Sequence, residues 1–401
     1  MKIVFKKILL FVLAFFILTS CSDDPSSVGL DLIPDEDKID FKQFDTQLTP
    51  LIQESSFHEA NLKLGISSKL LLGKNSYAES QMMLHYNVTL VDSLMNYLKN
   101  GQLTIKKVWL DLYPTYLLGG NSQNFNFTVH QIRNDWSPGG FDKDSLKFLQ
   151  FDQANVSIPS SFNFTDSLIT FDIQPSVIQQ WFKHKYDSLN TPKNFGLLFK
   201  PTANTQKILG FNAIQIDVVS KLPVLSAIIE RGSVFKDTIT FTPYSDVHVV
   251  TGNLPTANDK MFIQGGTSLR STIYFNLLSL PKDIILSKAN LEFSIDTLNT
   301  FESTPKSDTL IVQVLANRST KELNSDSTLY VFLTRSGSKF TGEISWIVQK
   351  WLSLGDNYKN EGLLVSLYDE LSTAARYTLF GSSYQDINLR SRLKLIYIQK
   401  K

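Results

Sequence analysis

The sequence predicts an all-β chain built as two tandem antiparallel β-sandwiches, each with one short helix. Three observations lead there. Apolar and polar residues alternate with a period of two: Val108, Leu110 and Leu112 against Lys107, Trp109 and Asp111, and Ala289, Leu291, Phe293 and Ile295 against Lys288, Asn290, Glu292 and Ser294. Such alternation puts one face in a core and one in solvent, as antiparallel sheets do. The 28 Phe and 14 Tyr, with abundant Val, Ile and Thr, favour strands over helices. Finally, five segments recur in the same order in the two halves.

In chain order, residues 62–65 (LKLG) resemble 249–252 (VVTG), and 80–86 (SQMMLHY) resemble 271–277 (STIYFNL). Residues 107–112 (KVWLDL) match 288–293 (KANLEF), 177–181 (VIQQW) match 347–351 (IVQKW), and 194–199 (NFGLLF) match 360–365 (NEGLLV). Phe125, Phe127 and Val129 continue the strand pattern in the first half, and Leu310, Val312 and Val314 in the second. Pro114, Gly119-Gly120, Pro138-Gly139-Gly140, Pro192, Gly265-Gly266, Asn299 and Pro305 punctuate the runs, as in sandwiches rather than parallel α/β units. One element breaks the pattern. Val177, Ile178, Trp181 and Phe182 share a helical face, as do Ile347, Val348, Trp351 and Leu352. Both read as short helices crossing an end of a sandwich, the Trp a core plug rather than a sugar platform.

The amino terminus predicts location. Lys2, Lys6 and Lys7 precede an apolar run at residues 8–18 (ILLFVLAFFIL), too short for the roughly 20 residues of a spanning helix and typical of a secretory signal. The run ends in Leu18-Thr19-Ser20-Cys21, which resembles the lipobox of bacterial lipoproteins. Cys21 is the only cysteine in 401 residues, so lipidation explains it better than a disulfide, a metal site or a nucleophile. More than one acyl chain suffices for stable anchoring. The following Ser22-Asp23-Asp24 resembles the surface-export signal of Bacteroidota lipoproteins, a solvated acidic tether being the alternative. The expected organisation is a signal peptide at 1–20, a lipidated tether at 21–50, a first sandwich at 51–230, a linker at 231–245 and a second sandwich at 246–401.

Removing the three leader lysines lowers Lys+Arg from 39 to 36 against 38 acids, a formal charge of −2. That balance offers no polybasic footprint, so nucleic acid is not an expected partner.

The order of elements in each half resembles the DNRLRE-type domain. It runs from a Gly-bearing strand through an A-x-L-x-L strand, a long hairpin and a Φ-Φ-x-x-W helix to an N-x-G-L-L strand and a closing strand. That resemblance implies a jelly-roll akin to carbohydrate-binding modules of secreted bacterial proteins. Asn134-Asp135-Trp136-Ser137 matches the family's Trp after the hairpin, while the second half has Asn317-Arg318-Ser319-Thr320 and the DNRLRE tag is absent. Residues 26–34, the 261–266 segment and the Asn290 strand resemble a Bacteroidota lipoprotein family without an assigned function. Asp-Ser/Thr-apolar triplets, such as Asp187-Ser188-Leu189 and Asp296-Thr297-Leu298, resemble the O-glycosylation site of Bacteroidota envelope proteins; turn chemistry is the alternative.

Enzymatic motifs are scarce. The five histidines, His58, His85, His130, His184 and His248, fall in no H-E-x-x-H or H-x-H pattern. Neither a G-x-S-x-G elbow nor a phosphate-binding glycine loop occurs. A glycosidase needs two carboxylates roughly 5 to 10 Å apart, and no pair stands out. Asp135, Asp142 and Asp144 crowd one Gly-rich loop as candidate Ca²⁺ ligands, with a solvated turn as the alternative. Tyr113, Tyr116 and Trp136 are candidate sugar-stacking aromatics, with edge packing as the alternative. The expectation is a non-enzymatic, outer-membrane surface lipoprotein that binds glycan or mediates adhesion. A structural subunit of an envelope protein complex is the second reading, and a polysaccharide lyase or hydrolase the third.

Overall fold

The computed structural model describes residues 41–49, 51–215, 221–267, 269–281, 284–353 and 359–399. The segments expected to be a signal peptide, the lipidation site Cys21 and most of a tether lie outside the described residues. The described chain is all-β, with antiparallel sheets and three short α-helices: α1 (Asp92–Lys99), α2 (Pro175–His184) and α3 (Ser345–Ser353). None of these is long and apolar enough to cross a membrane. The expected helices are α2 and α3; α1 is an addition, packing Leu94, Met95 and Leu98 on the first core.

Two separate cores define two sandwiches. In the first, one sheet runs in the order Tyr116–Leu118, Ile208–Asn212, Lys69–Lys74, Ala78–Tyr86, Leu197–Pro201, Phe127–Gln131, with Pro243–Gly252 also paired to Ala78–Tyr86. It faces a sheet of Phe235–Phe241, Val224–Arg231, Thr104–Leu112, Ile169–Ile173 and Asn163–Phe164. Val108, Leu110 and Leu112 point inward to meet Phe171, Ile173, Phe199 and Phe211, as their alternation requires. In the second sandwich the strands form one curled path from Phe41–Asp45 to Arg376–Phe380, around a core including Leu291, Phe293, Val312, Val365 and Leu393. Trp181 is buried in the first core and Trp351 packs against the second, so each Trp acts as a plug.

Hydrogen-bond register exposes the duplication residue by residue. Asn194 Nδ2 donates to the Tyr86 carbonyl and its Oδ1 accepts from Gly196 N–H; Asn360 repeats both bonds with Phe275 and Gly362. Leu197 faces Leu84 and Leu363 faces Ile273, so Leu84 corresponds to Ile273 and His85 to Tyr274. A β-bulge falls opposite the same repeat position in both halves, beside Lys107 and beside Lys288. The repeated glycine has a steric cause. Gly196 sits at φ +94° and a Cβ there would lie 2.4 Å from the Leu84 carbonyl oxygen; Gly362 sits at φ +91° against Ile273. Gly196→Ala is therefore expected to lower the unfolding free energy by about 2 kcal/mol or more, read as a reduced urea midpoint for the first sandwich.

Three sequence expectations need correction. Segment 231–245 is not a linker: Phe235, Ile239 and Phe241 alternate with polar residues, and Phe235–Phe241 forms a hairpin with Val224–Arg231 around a turn containing Gly232 at φ +51°. The segment expected to be a tether as far as residue 50 includes a strand, because Phe41–Asp45 pairs with Arg392–Gln399. The match of 249–252 to 62–65 also moves. Residues 249–252 belong to Pro243–Gly252, which lies along Ala78–Tyr86 as Gln53–Glu59 lies along Leu269–Phe275.

The last two points describe one arrangement. Each half opens with a two-strand arm, 41–59 in the first and 235–252 in the second. The arm of the second half completes the first sandwich through Val224–Arg231 and Ala78–Tyr86. The arm of the first half completes the second sandwich through Arg392–Gln399 and Leu269–Phe275. The two repeats have exchanged arms within one chain. The junction is further tied by Ser303–Thr304 pairing with the Tyr116–Leu118 strand, and by Arg376, whose guanidinium lies 4.5 Å from the Tyr77 ring.

Candidate functional site

The first half carries a long excursion between Phe127–Gln131 and Ile169–Ile173. Residues 133–152 fold back over the outer face of the first sheet and bury Phe141 and Leu149 against Met83, Leu198, Val247 and Val249. Asp142 pins this loop. Its carboxylate accepts from Lys63 Nζ at 2.7 Å, from Asn61 Nδ2 at 3.1 Å and from Ser145 Oγ at 2.9 Å. The Lys63 ammonium, joined by the Ser145 bonds, holds the carboxyl well below the usual carboxylate range.

The loop delivers Trp136 to the end of the first sandwich. Its indole N–H donates to the Phe195 carbonyl at 2.8 Å, and its ring meets Phe141 edge-on. Beside it lies a cleft of about 560 Å³ lined by His85, Asn87, Asp135, Trp136, Trp181, His184, Lys185, Lys193, Asn194 and Tyr244, among others. The His85 ring packs against Tyr244 at 4.5 Å between centroids and lies 6.3 Å from Trp136. A His85 nitrogen takes the Tyr244 hydroxyl at 2.7 Å, and Nε2 lies 3.1 Å from the Asn194 carbonyl. Burial, aided by the Lys193 charge, pulls the His85 pKa below its ordinary value despite Asn194 and Asp135, favouring the neutral ring at pH 7. The result is an open cleft with three rings on its wall and amides, one carboxylate and two ammonium groups at its edge. Such a surface suits a ligand with apolar ring faces and many hydroxyls.

The predicted site residues divide. Trp136 and Asp135 line this cleft, and Asp135 Oδ1 accepts the Trp136 backbone N–H. Tyr113 is half-buried just past Thr104–Leu112 and outside the cleft lining. Tyr116 is not a stacking platform. It is buried inside the junction of the halves, its hydroxyl 3.1 Å from Thr373 Oγ1 and accepting Ala374 N–H at 2.9 Å. Asp135, Asp142 and Asp144 do not converge: Asp142 binds Lys63, Asp144 binds Lys147 at 2.8 Å, and Asp135 caps Trp136. Among the described residues no group of three His, Cys, Asp or Glu is placed to hold a metal ion. Sequence reasoning missed His85, Tyr244, His184, Lys185 and Lys193. The one usable signal was Tyr244 directly after Pro243, where the register of the arm shifts.

The second half has the corresponding cleft, and it is about a third the size. It measures about 190 Å³ and is lined by Glu54, Tyr274, Arg318 and Glu361 among others. Arg318 lies 4.0 Å from the Tyr274 ring, pairs with Glu54 at 2.9 Å, and donates its backbone N–H to Glu361 at 3.2 Å.

A comparison with protein-family models finds none that matches this chain, and a comparison with curated proteins finds no relative.

Proposed function

We propose that the protein is a lipid-anchored protein of the bacterial outer membrane, held through Cys21, that binds glycan without transforming it. The observation that carries the glycan reading is the first cleft: Trp136, Tyr244 and His85 present rings beside the amides of Asn87 and Asn194 and the carboxylate of Asp135. Aromatic faces with a few polar groups at the rim match the alternating apolar and hydroxylated faces of sugars. Location rests on the lipobox at residues 18–21 and the acidic stretch behind it.

The test uses soluble residues 22–401 on a glycan array, followed by titration calorimetry of each hit. Tyr244→Ala and Trp136→Ala are expected to weaken binding tenfold or more, the effect of truncating a buried aromatic anchor. Tyr244 is 54% exposed, so its variant should melt like the parent, which separates lost contact from lost fold. Binding that survives both changes would remove the cleft from the reading.

A second reading, an accessory subunit of an envelope complex, is favoured by one surface. Tyr330, Phe332 and Tyr368 are all exposed on the second sandwich, with successive ring centroids 5.3 Å apart. Clustered exposed aromatics mark protein interfaces. A stoichiometric partner crosslinked to the native protein, and lost with Phe332→Ser, would favour this reading over the first.

A further inference from the structure

The two clefts are copies with different charge: the second is neutralised within the chain, and lysines outnumber acids in the first. In the second, the acids Glu54 and Glu361 have a counter-ion built into the chain: Arg318 stacks on Tyr274, pairs with Glu54 and occupies the space between them. Lys359 also pairs with Glu361 at 3.1 Å. Three repeat positions create this closure. The first half has Asp135 where the second has Arg318, Ser245 where it has Glu54, and Phe195 where it has Glu361. These correspondences follow from shared register: Ser245 faces His85 as Glu54 faces Tyr274, and Ile132 N–H bonds Gly196 O as Leu315 N–H bonds Gly362 O. With all three members replaced, none of the described residues fills the first cleft.

Its charges are left in the opposite state. Lys185 and Lys193 both line it, and neither forms an ion pair among the described residues; the Lys193 ammonium lies 5.0 Å from the centre of the Phe195 ring. Neighbouring surface lysines do find acids, as Lys183 does with Asp187 and Lys63 with Asp142. Asp135 is the one acid in the lining and lies on the Trp136 side. Two ammonium groups without an ion pair among the described residues, beside an aromatic wall, favour an anion on the ligand, because a charge-assisted bond is roughly twice as strong as a neutral one.

We propose that the first cleft binds an acidic sugar, a residue carrying a carboxylate, with its ring against Trp136 and Tyr244 and its anion toward Lys185 and Lys193, and that Arg318 keeps the second cleft from binding. This rests on the glycan reading above and names its ligand class.

Uronic-acid trisaccharides (galacturonate, glucuronate and mannuronate) and their methyl esters are titrated into residues 22–401. The ester keeps each ring, removes the charge and adds one methyl group per residue. At least one acid should bind at one site per chain, with its ester at least tenfold weaker. Lys193→Met should weaken the acid far more than the ester, with an unaltered melting curve. Equal binding of acid and ester, or binding of neutral oligosaccharides alone, overturns the acidic preference while leaving the glycan reading intact. A stoichiometry of two overturns closure by Arg318. Silence with acids, esters and a neutral panel overturns the glycan reading and this proposal together.

Discussion

A chain beginning at residue 60 is expected to keep its first sandwich and lose its second. The reason is the arm exchange. Residues 41–59 contribute nothing to the first core, yet they supply two strands of the second sandwich, one of them an end of its path. Phe41–Asp45 makes five registered pairs with Arg392–Gln399, and Gln53–Glu59 makes seven with Leu269–Phe275. Phe44 is part of the second core, and Leu51 packs against it. Asp45 is 2% exposed and takes a forked ion pair from Arg392, which also reaches Glu292 at 3.5 Å. Deleting the arm opens two strand edges, uncovers apolar surface and strips a buried carboxylate from its arginine. Arg392 is partly exposed and keeps Glu292, so the loss comes chiefly from the two opened strand edges and the uncovered apolar surface at Phe44 and Leu51. Thermal unfolding of the intact chain should match two folded sandwiches. The truncated chain should show one folded sandwich plus a protease-sensitive region from about residue 260 onward. Adding a synthetic peptide of residues 41–59 should restore protection, since register and the Phe44 site specify its place. Full protection of both halves without the arm would show that the exchange is dispensable. A cut at the boundary the sequence suggested, residues 246–401 alone, should fail for the same reason. Residues 60–252 should fold.

Much of the fold was legible because its elements are local. Alternation at 107–112 and 288–295 marks strands whose inner residues reach the two cores, and the Trp of each helix sits where its face predicts. Pairing was not legible, because nothing within residues 41–45 points to a partner at 392–399. The repeat was readable in order but slipped by two in the 80–86 segment: Leu84 corresponds to Ile273, not Phe275. A slip of two leaves every side chain on its own face, so period-two patterning cannot detect it. Of the cleft, Trp136 was visible as an aromatic after a hairpin. His85 and Tyr244 were not, since they stand 159 residues apart and meet only because the second arm lies along Ala78–Tyr86. Tyr116 misled for the converse reason. Its loop-like neighbourhood suggested exposure, and a segment more than 250 residues away buries it.

His248→Met is expected to leave the protein as stable at pH 7, or more so by about 1 kcal/mol, and to make it clearly more resistant to acid. His248 lies inside the second arm, opposite Met82, with no exposed surface. Neither ring nitrogen has a hydrogen-bond partner of ordinary geometry. Burial, opposed only by the Lys69 backbone, pulls its pKa from 6.5 to about 3. The fold therefore refuses a proton that the unfolded chain accepts. Stability is untouched above pH 6.5 and falls as pH drops from there toward 3. At pH 5 this linkage amounts to about 2 kcal/mol, from 1.36 kcal/mol per unit of pKa. Asp246, two residues earlier, acts in the opposite sense. Burial pushes its carboxyl up to about 6, so the fold gains stability as pH falls from 6 to 3.8. His85, His130 and His58 are also depressed by burial. All four groups are common to parent and variant, so the difference between the two pH curves isolates His248. The repeat suggests that an apolar side chain fits here, since the second sandwich has Phe57 at the corresponding position, packed edge-on to Phe262. Methionine conserves volume better and removes both unpartnered nitrogens. Urea unfolding of the first sandwich at pH 7 and pH 5 provides the measurement. Curves that stay parallel between those values would mean that His248 is protonated in the fold, with a partner that its surroundings do not supply.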